Sequence, residues 1–235
     1  KKLLMNTRSN KLLYRKVSSK TIPIQKVCEV GVYLPETSNI IDFIKEGKET
    51  ILVEPEPNSI QAIKSYFQDY SNVTLIPVAI YKHNGTLTLA KAEASTFVSD
   101  LPMSPALIND QYQINATKNI DVECKVFSDI DEGDIDLLSI DTEGSEWYVL
   151  LTMVSRPKII SIETHGKFYV NPFLKDIKNW MKENDYQVWF KDNSDTVFCK
   201  KGLFNLSLKE KMTLSLAMIN VWFRRNKKYI KFLKR

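Results

Sequence analysis

The amino-acid sequence predicts an α/β fold built on a mainly parallel β-sheet. Short apolar runs alternate along the chain with amphipathic segments of helical periodicity, which is the pattern of strands joined by crossover helices. The chain has 235 residues, 43% of them hydrophobic, and it contains no internal repeat. That length and composition are enough to bury one substantial core, so we expect one α/β domain.

The first half of this pattern predicts strand, helix, strand and helix. Residues 26–31 form the first apolar run, and the capping residues of 35–39 precede a predicted helix that ends at Gly47. The second run, 50–55, is followed by Asn58 as a predicted N-cap and then by apolar residues at helical spacing.

A predicted hairpin and a long loop come next. Asn84-Gly85 favours a tight turn, which would join the apolar run 73–81 to a strand over 86–90. Residues 91–118 are rich in Ser, Pro, Asn and Ala and lack periodicity. Because irregular loops of that length in compact domains commonly have a function, we predict a lid or substrate loop there.

The second half of the chain repeats the alternation. Asn171-Pro172 is a typical helix start, with Pro in the first turn. The predicted elements are, in order, a strand, a helix, a strand, a helix and two strands, over residues 135–140, 144–153, 158–163, 172–184, 186–190 and 196–200.

Charge divides the chain into a basic start, an acidic body and a basic end. Residues 1–20 and 224–235 each carry seven Lys or Arg and no acid, which leaves 28 acids against 19 bases between them. We divide the chain into a basic leader (1–20), a main domain (21–202) and a basic amphipathic helical segment (203–235). Basic ends could contact an anionic membrane surface or fold back onto the body, whereas nucleic acid is not an expected partner.

The predicted C-terminal helix is apolar on one face and basic on the other. Such a helix can lie on an anionic membrane, or pack against the core or another domain. The apolar face is predicted to contain Leu214, Met218, Val221, Trp222, Tyr229 and Phe232.

Location and redox state follow from what the sequence contains. No run approaches the roughly 20 apolar residues of a membrane span, and the start does not resemble a secretory signal, so we expect a cytoplasmic protein with peripheral membrane contact as an option. Cys28, Cys124 and Cys199 are far apart and are predicted to be buried and reduced. Because the chain starts at Lys1 and not at Met, we expect further domains of a longer polypeptide as partners.

Acidic residues follow four of the predicted strands, at the edge where open α/β sheets bind ligands. One acid at a strand end is ordinary, but four such ends around one cleft would form a negative pocket that favours a cationic ligand. The residues at these ends are Glu29 and Gly31, then Glu54, then Asp141 and Glu143, and finally Glu163 and His165.

The turn after the first strand separates two classes of cofactor. A dinucleotide needs several glycines where its pyrophosphate approaches the backbone, but here only Gly31 is present, followed by Val32-Tyr-Leu-Pro35. S-adenosylmethionine has no phosphate and carries a positive sulfonium, so it fits this turn better. Glu54 is placed to accept hydrogen bonds from the two ribose hydroxyls.

Two further segments are candidates for chemistry. Asp141-Thr-Glu-Gly-Ser-Glu146 follows a strand too apolar to be exposed; Ser145 and Glu146 could begin a helix, whereas Asp141 is expected to face the cleft. Glu163 and His165 share one face of a strand end. Since His titrates near neutrality, His165 could be a general base, and the alternative is a surface histidine without a role.

Four segments together resemble the FkbM methyltransferases, and their order and spacing match across residues 26–200. The segments are Cys28-Glu-Val-Gly31, Leu52-Val-Glu-Pro-Glu-Pro-Asn58, Asp136-Leu-Leu-Ser-Ile-Asp-Thr-Glu-Gly-Ser-Glu146 and Ile159-Ile-Ser-Ile-Glu163. The resemblance implies a Rossmann-like class I methyltransferase domain over 21–202, with a seven-stranded sheet and an antiparallel last strand. It also implies S-adenosylmethionine as methyl donor and O-methylation of a sugar, a glycan or another hydroxyl.

The resemblance also implies roles for individual residues. By this resemblance Asp141 and Glu143 would line the reaction centre, and together with His165 as general base they are the predicted catalytic residues. Some related O-methyltransferases place a divalent ion on acids after the fourth and fifth strands, so Asp141, Glu163 and His165 could bind Mn or Mg. The first turn departs from the family, which usually has a second glycine and a polar residue where this chain has Tyr33 to Glu36. The resemblance implies that Glu29, Gly31 and Glu54 hold the donor, and the full predicted donor site is Glu29, Gly31, Tyr33, Glu54, Pro55, Ala79 and Asp141.

Two other functions are compatible with the same fold. A nicotinamide-dependent oxidoreductase is disfavoured by the missing glycines. A binding module with a degenerate donor site would use its basic ends on membrane or nucleic acid and show no turnover.

Overall fold

The computed structural model describes residues 11–91, 96–99, 104–109, 119–166, 168–192 and 194–232. The described strands are β1 (Lys26–Val30), β2 (Glu49–Val53), β3 (Val73–Ile76), β4 (Ala79–Ile80), β5 (Gly85–Lys91), β6 (Thr96–Val98), β7 (Ile120–Lys125), β8 (Leu137–Ile140), β9 (Ile159–Glu163), β10 (Tyr186–Lys191) and β11 (Asp195–Lys200). The described α-helices are α1 (Leu12–Ser19), α2 (Ile41–Lys45), α3 (Pro57–Tyr66), α4 (Pro105–Asn109), α5 (Trp147–Thr152), α6 (Leu174–Glu183) and α7 (Leu208–Phe232).

The central sheet has seven strands in the order β10-β11-β9-β8-β1-β2-β3. Strands β3, β2, β1, β8 and β9 pair in parallel, whereas β11 is antiparallel to both β9 and β10. This confirms the predicted mainly parallel sheet with an antiparallel last strand. The chain runs outward from β1 to β3 and then returns to β8 on the other side of β1, so β1 and β8 flank the point where the strand order reverses. Open α/β sheets bind ligands at such a point.

Two apolar cores, one on each face of the central sheet, explain the continuous apolar runs of the sequence. Every residue of β1, β8 and β9 is buried, as expected for parallel strands that are covered on both faces. Successive residues alternate between the cores, so that Leu138 packs on one side and Leu137 on the other. Cys28, Cys124 and Cys199 are buried, as predicted.

The second sheet, in the order β4-β7-β5-β6, shows that the predicted hairpin at Asn84-Gly85 is wrong. Strand β7 lies between β4 and β5, parallel to the first and antiparallel to the second. The side chain of Asn84 accepts a hydrogen bond from the Val126 amide at 2.8 Å and donates one to Asp129 at 2.7 Å. These bonds connect the turn to the chain after β7, and β4 is therefore not the partner of β5.

Part of the predicted long loop has regular structure. Strand β6 pairs with β5, and α4 follows it, so the expectation of an irregular segment is wrong at these residues. The lid or substrate loop predicted for 91–118 otherwise falls on 92–95, 100–103 and 110–118, which lie outside the described residues.

Two helices begin at positions that differ from the predicted ones, and local hydrogen bonds explain the difference. The N-cap of α3 is Glu56 and not Asn58, because the Glu56 carboxylate accepts a 2.7 Å hydrogen bond from the Ser59 amide. Helix α5 begins at Trp147 and not at Gly144, since residues 142–146 form a separate turn.

The terminal helices differ in how far they are buried. Helix α1, within the predicted leader, packs Leu13 and Val17 into the core. In α7, Leu214 and Val221 are half-buried, but the other described members of the predicted apolar face are exposed. The side chains of Tyr229 and Phe232 lie outside the described residues. Most of the large apolar side chains that the structure describes in this helix are exposed. The exposed ones are Leu208, Met212, Leu216, Met218, Ile219, Trp222 and Phe223. Across the described residues, no helix is both long and apolar enough for a membrane span.

Glu210 anchors the start of α7 to the rest of the protein. Ser207 and Glu210 form a capping box, in which the Glu210 amide donates to the Ser207 hydroxyl and the Ser207 amide donates to the Glu210 carboxylate. The same carboxylate accepts hydrogen bonds from Lys20 Nζ and Trp189 Nε1, each at 2.9 Å. Burial disfavours the charge, but the hydrogen bonds outweigh it and lower the pKa of Glu210 to about 2.

We expect Glu210→Gln to lower the free energy of unfolding at pH 7 by about 1.5 kcal/mol, since the variant weakens hydrogen bonds to a charged group. The folded-state pKa lies below the ordinary value of 4.5, so wild type should lose this contribution as the pH falls from 4.5 towards 2. Urea denaturation at pH 7 and pH 3 measures both effects. Exposed Glu183→Gln is the control, and the same pH dependence in Glu210→Gln and wild type would contradict the assignment.

Candidate functional site

A cavity opens at the carboxyl ends of β1, β2 and β8, where the strand order reverses. Strand ends and the turns after them form one side. The second sheet supplies a largely apolar opposite wall through Leu89, Thr96 and Val98. The described lining contains no Lys, Arg or His, and its acids are Glu29, Glu54, Asp141 and Glu143.

The structure brings all the residues predicted for the donor site to this one cavity. They are Glu29, Gly31, Tyr33, Glu54, Pro55, Ala79 and Asp141. Glu143, predicted to be catalytic, lines it as well, whereas Glu163 and His165 are not among the lining residues. The roles of these residues in binding or catalysis stay predictions.

Gly31 allows the turns after β1 and β8 to come into contact. Its φ of +83° is in the left-handed region, and a Cβ at this position would lie only 1.8 Å from the carbonyl oxygen of Asp141. The Asp141 amide in turn donates a 2.9 Å hydrogen bond to the carbonyl of Val30. Glycine is therefore required at position 31 for two reasons: the backbone has a positive φ, and a Cβ would collide with the residue that follows β8.

Glu54 organises the first turn of the cavity. One carboxylate oxygen accepts hydrogen bonds from the amides of Val32 and Tyr33, and the other accepts one from the amide of Glu56, all at 2.9 Å. These bonds hold Tyr33 at a φ of +56°. A carboxylate has about four acceptor positions, so one remains for a ligand. The backbone contacts of Glu54 were not predicted, because no local sequence signal connects it to a turn some twenty residues earlier.

Glu29 is a second buried carboxylate in the wall. It accepts hydrogen bonds from the Ser38 hydroxyl and, at 2.8 Å, from the Asn39 amide. Burial outweighs these bonds and raises the pKa of Glu29 to about 7. A positively charged ligand in the cavity would favour the ionised form of this carboxyl.

The segment 142–146 forms a tight acidic turn instead of the first turn of a helix. One carboxylate oxygen of Glu146 accepts hydrogen bonds from the amides of Thr142 and Gly144, each at 3.0 Å. Glu143 is held between them at a φ of +55°. Glu143 and Tyr33 are non-glycine residues in the left-handed region, and both line the cavity. Backbone strain of this kind concentrates at functional sites.

A group of three carboxylates lies beside the cavity, formed by Asp141, Glu146 and Glu163. One carboxylate oxygen from each lies within 4.8 Å of the others. Burial, followed by repulsion between neighbouring acids, raises the pKa of Asp141 and of Glu163 well above the ordinary range. For Glu146 burial also raises the pKa, against the hydrogen bonds from Thr142 and Gly144.

This group differs from the predicted metal ligands at one position, because Glu146 is found where His165 was expected. Strand β9 ends at Glu163, and His165 instead forms an isolated bridge with Val170. The imidazole is buried, with Nδ1 3.0 Å from the hydroxyl of Thr164. The face shared by alternate residues of a strand does not extend past the strand end, and the predicted pairing of Glu163 with His165 depended on it.

The chain is similar to one protein family and to several solved structures. The family model described as the methyltransferase FkbM domain matches residues 29–188. A search of curated proteins finds no match. Similar solved structures include the methyltransferase domain of bacterial CtHen1, with 11% identity, a TM-score of 0.45 and coverage of 81% of this chain and 97% of that chain. For the precorrin-6y C5,15-methyltransferase from Geobacter metallireducens these values are 13%, 0.40, 82% and 88%. For the methyltransferase PaMTH1 from Podospora anserina they are 13%, 0.40, 80% and 76%.

Gly31→Ala and Gly47→Ala form a matched pair that tests the contact between the two turns. Both glycines have a φ near +80°, but a Cβ at Gly47 would meet nothing within 4 Å. We expect Gly47→Ala to lower the free energy of unfolding by about 1–2 kcal/mol through backbone strain alone. Gly31→Ala should lower it by clearly more, because the Asp141 carbonyl must also move. Urea denaturation measures both, and equal losses would contradict the steric argument.

Proposed function

The chain belongs to the FkbM methyltransferase family and is an S-adenosylmethionine-dependent methyltransferase; we propose that it transfers the methyl group to a hydroxyl oxygen of a sugar or glycan. The observation that carries the proposal is the cavity lined by four acids and, among its described residues, by no base. Such a cavity attracts a positive sulfonium and repels phosphate groups.

Contacts within the cavity support the methyl donor over a dinucleotide. The amides of Val32 and Tyr33, in the turn where a dinucleotide-binding fold presents N–H groups to phosphate, are already bonded to the Glu54 carboxylate. The apolar wall from the second sheet suits a flat adenine ring. The remaining acceptor position of Glu54 can receive a ribose hydroxyl. An oxidoreductase that uses a nicotinamide cofactor is therefore disfavoured.

The donor supplies a methyl group on a positively charged sulfur, and an acceptor oxygen can attack the methyl carbon in line with the sulfur, which leaves. The O–H bond of the acceptor and the S–CH3 bond break, the new O–CH3 bond forms, and a neutral thioether and a proton remain. We assign the proton to Glu143, because its side chain lines the cavity next to Asp141 and its backbone is held in a strained conformation. The other lining residues act by positioning the two reactants.

Neutral polar side chains in the cavity favour a polyhydroxy acceptor. Among the lining residues are Thr37, Asn39, Thr96, Thr142 and Ser145. The Thr142 hydroxyl is buried and makes no hydrogen bond within the described part of the chain, so it is available to a ligand. An anionic acceptor such as nucleic acid would meet four carboxylates and no cation from the described lining.

Donor binding is tested with Glu54→Gln, and Glu56→Gln is the matched control. Both glutamates are 5% exposed and accept backbone hydrogen bonds, but only Glu54 lines the cavity. By isothermal titration, we expect Glu54→Gln to bind S-adenosylmethionine at least tenfold more weakly than wild type. Glu56→Gln should bind as wild type does, although it is less stable. Tighter binding of NAD than of S-adenosylmethionine by wild type would overturn the proposed donor.

Acceptor chemistry is tested with isotopically labelled donor and a panel of neutral glycans, amines and carboxylates. We expect label in an alkali-stable methyl ether on a glycan. Glu143→Gln should lower kcat by at least about a hundredfold, the usual contribution of a general base, and should change donor affinity much less. Label found only in a methylamine or in an alkali-labile methyl ester would show that the acceptor is not a hydroxyl.

A further inference from the structure

The carboxyl groups of Asp141, Glu146 and Glu163 lie together, and when they are ionised no charged partner among the described residues neutralises them. Glu146 is 0% exposed and Glu163 is 8% exposed. Within the described residues, none of the ion pairs involves any of the three. Buried charges in proteins are normally paired or bind a metal ion, so this group needs a counter-charge.

Glu163 is the member whose hydrogen bonding is incomplete. Its Oε2 atom is buried and has no hydrogen-bond partner in the described part of the chain. The carboxylate still contributes an oxygen to the group, within 4.8 Å of the oxygens from Asp141 and Glu146. A buried acceptor without a partner, beside two other acids, is a place where a cation can bind.

The methyl donor cannot be that cation for all three carboxylates. Asp141 lines the cavity in which we place the donor, but Glu146 and Glu163 do not. Of the three carboxylates in this group, a sulfonium in the cavity could therefore neutralise only that of Asp141. When the two remaining carboxylates are ionised, a smaller ion that lies among them can supply the counter-charge.

We propose that Asp141, Glu146 and Glu163 bind one hard divalent cation, Mg²⁺ or Mn²⁺. The donor set contains only carboxylate oxygens, which these ions prefer to the nitrogen and sulfur ligands typical of zinc. Oxygens on opposite sides of a Mg²⁺ ion are about 4.2 Å apart, close to the spread of this group.

Hydrogen bonds around Glu146 support its orientation as a ligand. One oxygen accepts from the amides of Thr142 and Gly144, and the other accepts from the side-chain amide of Asn171. Asn171 also donates to the carbonyl of Glu163 at 3.2 Å, so it connects two of the three ligands. Partners of this kind hold metal ligands in place.

Asp141 belongs to both the cation site and the cavity, which gives the ion a function. A cation bound there would lie at the cavity wall, where it can orient an acceptor hydroxyl and ease the loss of its proton. This consequence rests on the proposed methyl transfer, whereas the cation site itself does not.

The test is titration of Mn²⁺ into the full chain without donor, followed by calorimetry and by the electron paramagnetic resonance signal of free Mn²⁺. We expect one saturable site per chain in wild type and at least tenfold weaker binding in Glu163→Gln. Glu183→Gln, which removes an exposed acid from α6, should bind as wild type does. Asp141→Asn should weaken Mn²⁺ binding as Glu163→Gln does.

Thermal unfolding distinguishes loss of the site from loss of the fold. Without metal, Glu163→Gln should melt at the same temperature as wild type or higher, because it removes a buried carboxyl group that lies beside two other acids. Mn²⁺ should raise the melting temperature of wild type and not of the variant. Equal Mn²⁺ affinity in wild type and Glu163→Gln would overturn the site. If Mn²⁺ binds and S-adenosylmethionine does not, the proposed donor fails while the cation site stands.

Discussion

The contact between Gly31 and the carbonyl of Asp141 is the constraint on which the site depends. Strands β1 and β8 flank the reversal of strand order, and their following turns can meet only because position 31 has no Cβ. That contact places the acidic turn 141–146 beside the turn that Glu54 organises. The cavity and the carboxylate group next to it are therefore two results of one close approach of the backbone.

The carboxylates of this site fix the conformation of the backbone as well as contributing negative charge when they are ionised. Glu54 and Glu146 lie in different turns, yet each binds two backbone amides through one oxygen and holds a neighbouring non-glycine residue at positive φ. Glu29 similarly accepts a hydrogen bond from the amide of Asn39. Amides that could otherwise bind phosphate are occupied by the protein's own acids. These amides are therefore not free to bind phosphate, and the carboxylates that line the cavity favour a cation when they are ionised.

Much of the site could be predicted because apolar runs in the sequence indicate where buried strands end. Glu29, Gly31, Glu54 and Asp141 each follow an apolar run, and parallel strands bring such residues to one edge. Prediction failed where pairing is not local. The Asn84-Gly85 turn suggested a hairpin, but side-chain bonds to residues after β7 gave it another role. The wall formed by the second sheet could not be predicted, since its β5–β7 pairing joins residues more than thirty positions apart.

The sequence by itself determined the α/β class and an edge of the sheet rich in acids, because periodicity and residue type are local properties. Through the family resemblance it also implied a seven-stranded sheet with an antiparallel last strand. The tertiary structure alone decided which acids lie together. Glu146, expected at a helix start, turns back towards Asp141 and Glu163, whereas His165 does not join that group. A side chain beyond a strand end takes its direction from its neighbours in space, and periodicity carries no information about them.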